Sequence, residues 1–159
     1  MLPTLMSDHV ATIEWATSAT AEDFIKGRYS REHTWRFDGG VAVAASPSPS
    51  VVPAPWSSAA NVDPEEAYVA SISSCHMLTF LYVASKAGVV VASYRDDAIG
   101  TMTKVAGGTP WISRVRLMPT IAYGGRQPTP DEVAQLHHAA HDGCFIAASV
   151  KTEILVGAT

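Results

Sequence analysis

The sequence predicts an α+β fold. Three observations carry this: strand-like runs follow one another through short turns, one long uncharged helical segment lies near the middle, and a second helical segment comes after the strands rather than alternating with them. The chain has 159 residues, 47% hydrophobic and 16% charged. That suits one core-forming domain over residues 1–159 and argues against disorder.

Residues 9–16 have moderate β character around Ile13 and Trp15, and residues 20–26 read as polar and irregular. His33–Phe37, then Asp38-Gly39-Gly40, then residues 41–43 read as strand, tight turn, strand, because Asp-Gly between alternating residues is a strong hairpin signal. Residues 46–55 carry Pro47, Pro49, Pro53 and Pro55, which predicts an exposed, stiffened loop of functional length. Asp63-Pro64-Glu65-Glu66 opens a helix: Asp63 can cap it, Pro64 suits its first position, and Glu66 stands three after the cap. It should run to about Lys86, with Gly88 near the C-cap. Residues 67–84 contain no Asp, Glu, Lys or Arg, so this helix belongs in the middle of a domain. Strands are expected at residues 89–96, 98–104 and 112–123, punctuated by Gly107-Gly108 and Gly124-Gly125. Thr129-Pro130-Asp131-Glu132 opens a second helix to about His141, Asp142-Gly143 interrupts it, a helical piece covers residues 145–149, and a last strand covers residues 152–156.

The net charge is −4, with no basic block, so nucleic acid is not an expected partner. Residues 1–8 have neither a basic nor an apolar targeting pattern. The longest apolar stretch, residues 77–92, is broken by Thr79, Ser85, Lys86 and Gly88. The expectation is a soluble cytoplasmic protein without a membrane partner. Two cysteines are too few for a disulfide scaffold or a four-cysteine zinc site but enough for one redox pair.

Cys75 lies mid-helix within Ser73-Ser74-Cys75-His76, and Cys144 follows Gly143 at a helix break. Either could be a small buried hydrophobe. To act as a nucleophile, Cys75 needs a cation that favours its thiolate, and Arg28, Arg31, Arg36, Arg95 and the adjacent His76 are the candidates. A metal reading competes: His137, His141 and Cys144 could share one helix face, with His138 close by, although no H-E-x-x-H or C-x-x-C supports it. Walker, Gly-x-Gly-x-x-Gly and Gly-x-Ser-x-Gly patterns do not occur.

Asp63-Pro64-Glu65-Glu66-Ala67 followed by Cys75, a second cysteine at Cys144, the Asp38-Gly39 hairpin and the Lys151-Thr152-Glu153-Ile154 strand together resemble the OsmC/Ohr family of thiol peroxidases. The resemblance covers nearly the whole chain. It implies an intertwined homodimer with long central helices sandwiched by antiparallel sheets, and active sites at the subunit interface. It implies reduction of hydrophobic organic hydroperoxides to alcohols without a bound cofactor or metal. Cys75 would be the peroxidatic cysteine and Cys144 the resolving one. Glu65 would be the glutamate that pairs with an arginine beside the reactive sulfur. No arginine lies between Phe37 and Tyr94, so the nearest match is Arg31, before the hairpin, with Arg28 and Arg36 as competitors. The thiolate would attack the O–O bond, the resulting sulfenic acid would condense with Cys144, and a dithiol reductant would reopen the disulfide.

On one straight helix Glu65 and Cys75 stand about 15 Å apart along the axis, so Glu65 cannot touch the sulfur of its own helix. Trp56 and Phe80 are candidate pocket-lining aromatics. The alternative function is an OsmC-like protein that binds a small hydrophobic ligand or thiol without turnover.

Overall fold

The computed structural model describes residues 7–157, and the chain divides after Pro64 into two compact units. The first is a three-stranded antiparallel sheet, β1 (Ala11–Glu14), β2 (His33–Phe37) and β3 (Ala42–Ala45), with a short helix α1 (Ala21–Ile25) between β1 and β2. The β2–β3 turn is the Asp38-Gly39-Gly40 hairpin: the Gly40 N–H donates to the Phe37 carbonyl, and Gly40 takes φ +89, where a β-carbon would strain the backbone. Residues 20–26, expected to be irregular, contain α1. The Thr20 side chain caps it by accepting from the Asp23 N–H at 3.1 Å, a local start signal that outweighs the polar composition.

The proline-rich loop is tied at its base rather than wholly exposed. Ser46 is fully buried, its N–H donates to the Val62 carbonyl, and its hydroxyl accepts from the Ser58 N–H at 2.8 Å.

The second unit is built on α2 (Pro64–Lys86), which spans the predicted range. Gly88 (φ +70) closes its C-terminus, where the Val89 N–H returns to the Ala84 carbonyl. Around α2 lie β4 (Val90–Asp96) paired antiparallel with β7 (Pro119–Gly124), and a sheet in the order β5 (Ile99–Thr103), β6 (Trp111–Leu117), β8 (Glu153–Val156). β6 and β8 run parallel, the exception in an otherwise antiparallel arrangement. Residues 112–123 were expected to be one strand. They form two, β6 and β7, which belong to different sheets. The break falls at Met118-Pro119: proline cannot continue the ladder, and the Met118 N–H is taken by the Asp96 carboxylate at 2.6 Å. α3 (Pro130–Gly143) runs through the expected interruption at Asp142-Gly143, and α4 (Phe145–Ala148) follows.

The burial of α2 departs from expectation. Only Ile72, His76, Phe80 and Ala84 are buried, each four residues after the last, so one stripe faces the unit. Phe80 and Ala84 pack with Val89, Leu136 and Ala140, and Ile72 packs with Val115 and Leu117. The opposite face exposes Leu78 (60%) and Tyr82 (63%). By length and composition α2 could cross a bilayer, but its stripe carries a histidine and packs against strands, as a core helix does.

β5 reaches α2 through a glycine. A β-carbon on Gly100 would lie 2.5 Å from Val69 Cγ2, inside any permitted contact. Gly100→Ala should therefore lower stability by roughly 1–3 kcal/mol, read as a lower urea midpoint. Adding Val69→Ala should recover most of the loss, and a double variant no more stable than Gly100→Ala would contradict the contact.

Candidate active site

α3 begins with a reciprocal cap. The Glu132 N–H donates to Thr129 Oγ1 at 3.2 Å, and the Thr129 N–H donates to Glu132 Oε2 at 2.7 Å. Arg126 also donates to Glu132, and this bond, with the cap, holds its carboxyl well below the usual range. The fixed start aims His137, His141 and Cys144 along α3 at spacings of four and three.

At its other end α3 meets α2 closely. A β-carbon on Gly143 would stand 3.0 Å from Thr79 Cγ2, and Thr79 Oγ1 donates to the Cys75 carbonyl at 2.9 Å. Cys144 therefore arrives beside Cys75, near enough for the two thiols to influence each other. Cys144 is 2% exposed and Cys75 is half-buried; both are free thiols. Cys144 also caps α4, its sulfur accepting from the Ala147 N–H at 3.4 Å. Burial, then the bond to Cys75, pushes the Cys144 thiol up, against the pull of the backbone N–H groups of Ala147 and Ile146. The two cysteines are thus unequal, an accessible one and a buried protonated one.

His76 is not the cation that Cys75 needs. It is 1% exposed and stacks on His137, with ring centroids 5.3 Å apart and planes 11° apart. Its Nε2 stands 3.0 Å from His137 Nδ1 in a hydrogen bond. Burial, then the positive charges His137 and His141 would carry, push it down to about 4. Burial also lowers His137, partly opposed by Asp96. Both imidazoles are neutral near pH 7. The Phe80 ring lies tilted against His137 with centroids 4.5 Å apart and is fully buried, so Phe80 is a core residue rather than a pocket wall. Ser73 and the Met118 N–H both donate to Asp96, which ties α2 to β4. Neither of the last two ties was apparent from the sequence, since their partners are distant along the chain.

In the N-terminal unit the three arginine candidates separate. Arg28 pairs with Asp23 at 3.8 Å and Arg36 with Glu14 at 2.5 Å, both exposed. Arg31 is half-buried and has no ion pair among the described residues. Its Nη1 donates to the carbonyls of Gly27 (3.0 Å) and Tyr29 (2.8 Å), its guanidinium lies 3.9 Å over the Tyr29 ring, and its backbone N–H donates to the Trp56 carbonyl. Arg95 is paired with Asp97. Glu65, half-buried in the first turn of α2, also has no ion pair among the described residues. Among those residues no cluster of three His, Cys, Asp or Glu has metal-holding geometry; His138 pairs instead with Asp142.

The family model for OsmC-like proteins matches residues 57–158. An OsmC-like protein of unknown function from Vibrio cholerae is 47% identical, with a TM-score of 0.89, the match covering 95% of this chain and 98% of that one. An organic hydroperoxide resistance protein from Elizabethkingia anophelis (15% identity, TM-score 0.70, 99% and 100% covered) and one from Legionella pneumophila (12%, 0.71, 97% and 96%) share the fold. No curated protein matches.

The depressed His76 sets a pH dependence. Below its ordinary value of 6.5 the unfolded chain takes up a proton that the folded chain refuses until about pH 4. The stability this contributes is complete above 6.5 and is lost as pH falls toward 4, by about 2–3 kcal/mol. Urea unfolding between pH 7.5 and 4.5 should show that loss, and His76→Gln should flatten the slope. Equal slopes in the two proteins would contradict a neutral buried His76.

Proposed function

Because the chain belongs to the OsmC-like family, we propose that it is a cysteine-based peroxidase that reduces organic hydroperoxides to alcohols. The observation that carries this is the pairing of a half-buried Cys75 with a buried Cys144 across the α2–α3 contact. A lone structural thiol needs no second sulfur beside it, whereas a sulfenic acid needs a resolving one.

The Cys75 thiolate attacks the distal peroxide oxygen. The O–O bond breaks, Cys75 becomes a sulfenic acid, and the alkoxide takes a proton to leave as an alcohol. Cys144 then displaces water from the sulfenic acid, and a dithiol restores both thiols by exchange, which suits a reducing, cytoplasmic setting. Arg31 is assigned the charge that favours the Cys75 thiolate, because of the three N-terminal arginine candidates it alone has no ion pair among the described residues. Glu65 is assigned as its counter-ion. The uncovered apolar face of α2, with Leu78 and Tyr82, supports a homodimer in which a second copy covers it. The apolar setting of Cys75 favours a hydrophobic peroxide over hydrogen peroxide.

Reduced protein mixed with cumene hydroperoxide should lose two thiols per chain. Cys75→Ser should lose none, and Cys144→Ser should retain a sulfenic acid that dimedone captures. Intact thiols at millimolar peroxide would instead favour a ligand-binding role. Arg31→Met should lower kcat/KM at least tenfold while the far-ultraviolet circular dichroism stays unchanged; activity within twofold would remove Arg31 from the mechanism. Light scattering should give the mass of a dimer, and a fully active monomer would rule out an interface site.

A further inference from the structure

His33 takes no part in the chemistry assigned to Arg31 and Cys75, yet both of its ring nitrogens are engaged beside Arg31. Nδ1 stands 2.8 Å from the Arg31 carbonyl oxygen, and Nε2 accepts from the Trp35 indole N–H at 2.9 Å. We propose that His33 is a positioning residue for Arg31: held in one tautomer by Trp35, it ties the Arg31 backbone to the centre of the N-terminal sheet, so that the guanidinium keeps one orientation. This rests on the assignment of Arg31 to the Cys75 thiolate in the reading above.

The partners settle the tautomer. An indole nitrogen only donates and a carbonyl only accepts. His33 Nε2 therefore carries no proton, and Nδ1 carries the one it donates to Arg31. A proton on Nε2 would face the indole N–H, and a bare Nδ1 would face a carbonyl oxygen. Either arrangement loses a hydrogen bond and sets like poles together. The neutral ring with its proton on Nδ1 is the one form that satisfies both contacts.

The tie is firm because of where Trp35 stands. His33 and Trp35 are two apart on β2, so both rings leave the same face of the strand, with centroids 6.1 Å apart. β2 is the middle strand of its sheet: Trp35 is paired with Ile13 on β1 and Val43 on β3, and His33 with Ala45. From that frame the His33 bond fixes the carbonyl side of Arg31, while the Trp56 carbonyl takes the Arg31 N–H at 3.0 Å on the other side. The side chain is then aimed by near contacts. Nη1 donates to the Gly27 and Tyr29 carbonyls, and the guanidinium lies over the Tyr29 ring. That ring is itself stacked on Phe24 of α1, with centroids 4.5 Å apart. Backbone and guanidinium are thus fixed separately, and His33 holds the backbone.

Alkylation of Cys75 by iodoacetamide, followed by mass spectrometry of its peptide, tests this without peroxide. The thiolate is the species that reacts, and near pH 10 a thiol ionises unaided. His33→Leu should slow alkylation about fivefold at pH 7 and leave it within about twofold of wild type at pH 10, because the charge is displaced while access to the sulfur is unchanged. His33→Asn places an amide donor where Nδ1 stood and should return the pH 7 rate to within about twofold of wild type. Added to Arg31→Met, His33→Leu should cause no further loss, since it acts only through Arg31. A folded His33→Leu protein alkylated as fast as wild type at pH 7, or rates lowered alike at both pH values, overturns the proposal. So does a His33→Leu loss that adds in full to that of Arg31→Met, or an Arg31→Met protein as reactive as wild type. Nitrogen NMR of the wild-type protein at pH 8 needs no variant and keeps the test valid if His33→Leu fails to fold: the His33 proton should sit on Nδ1, and a proton on Nε2 overturns the proposal. If alkylation behaves as expected but cumene hydroperoxide leaves the thiols intact, the peroxidase reading falls and the positioning of Arg31 stands.

Discussion

The close approach of α2 to the end of α3 is the contact on which the proposed chemistry depends. A residue larger than glycine at position 143 would press on Thr79 at 3.0 Å, and helices separated there would carry Cys144 away from Cys75. The same contact seats His137 on His76 and Phe80. One packing constraint thus fixes the sulfur pair and the imidazole pair together. Asp96 secures the other side: the Met118 N–H, at which β6 ends, fixes its carboxylate, and Ser73 of α2 donates to it, so the helix cannot slide along the sheet without breaking the Ser73 bond.

α2 performs this from one stripe. Its four buried residues divide between two small cores, Ile72 with Val115 and Leu117, and Phe80 and Ala84 with Leu136 and Ala140; His76 lies between them. A helix with no charge over residues 67–84 and only one face buried is an unfinished packing problem in water, since exposed Leu78 and Tyr82 gain nothing from solvent. A bilayer would cover them but would leave His76, Ser73 and Asp96 in hydrocarbon. A second apolar helix, as in the proposed dimer, would cover them at no such cost.

Much of this was legible in the sequence because it was local. Asp63-Pro64 starts α2, Gly88 ends it, Thr129 and Glu132 cap α3, and Asp38-Gly39-Gly40 turns the hairpin; each signal acts within four residues. The two cysteines were legible as a candidate pair, but their settings were not: Cys75, expected on a buried helix, is half-buried, and Cys144 is the buried one. What was not legible required partners distant along the chain. Residues 112–123 are β-like but for Pro119, and that one local signal does not show that the Met118 N–H goes to Asp96 or that β6 and β7 take partners in different sheets. α1 was hidden because its composition is polar, although Thr20 carried its cap. That His76 is a neutral core group rather than a cation followed from burial against His137, which sequence adjacency to Cys75 concealed.

That correction narrows the origin of the charge. A thiolate at Cys75 has to be favoured over the thiol by something positive or by hydrogen bonds, since burial alone works against it. His76 and His137 are neutral near pH 7, and Asp96, which acts on His137, has the wrong sign. The proposed reaction therefore takes its positive charge from elsewhere. In the N-terminal unit, Asp23 and Glu14 already neutralise Arg28 and Arg36. Arg31 is instead held by two carbonyls and a tyrosine face, contacts that orient a guanidinium without cancelling its charge. An oriented guanidinium is what the proposed thiolate requires, with Glu65 assigned as its counter-ion. A guanidinium is a planar fork, so Arg31 can give one nitrogen to the two carbonyls, lie over the Tyr29 ring and keep further N–H groups for an anion.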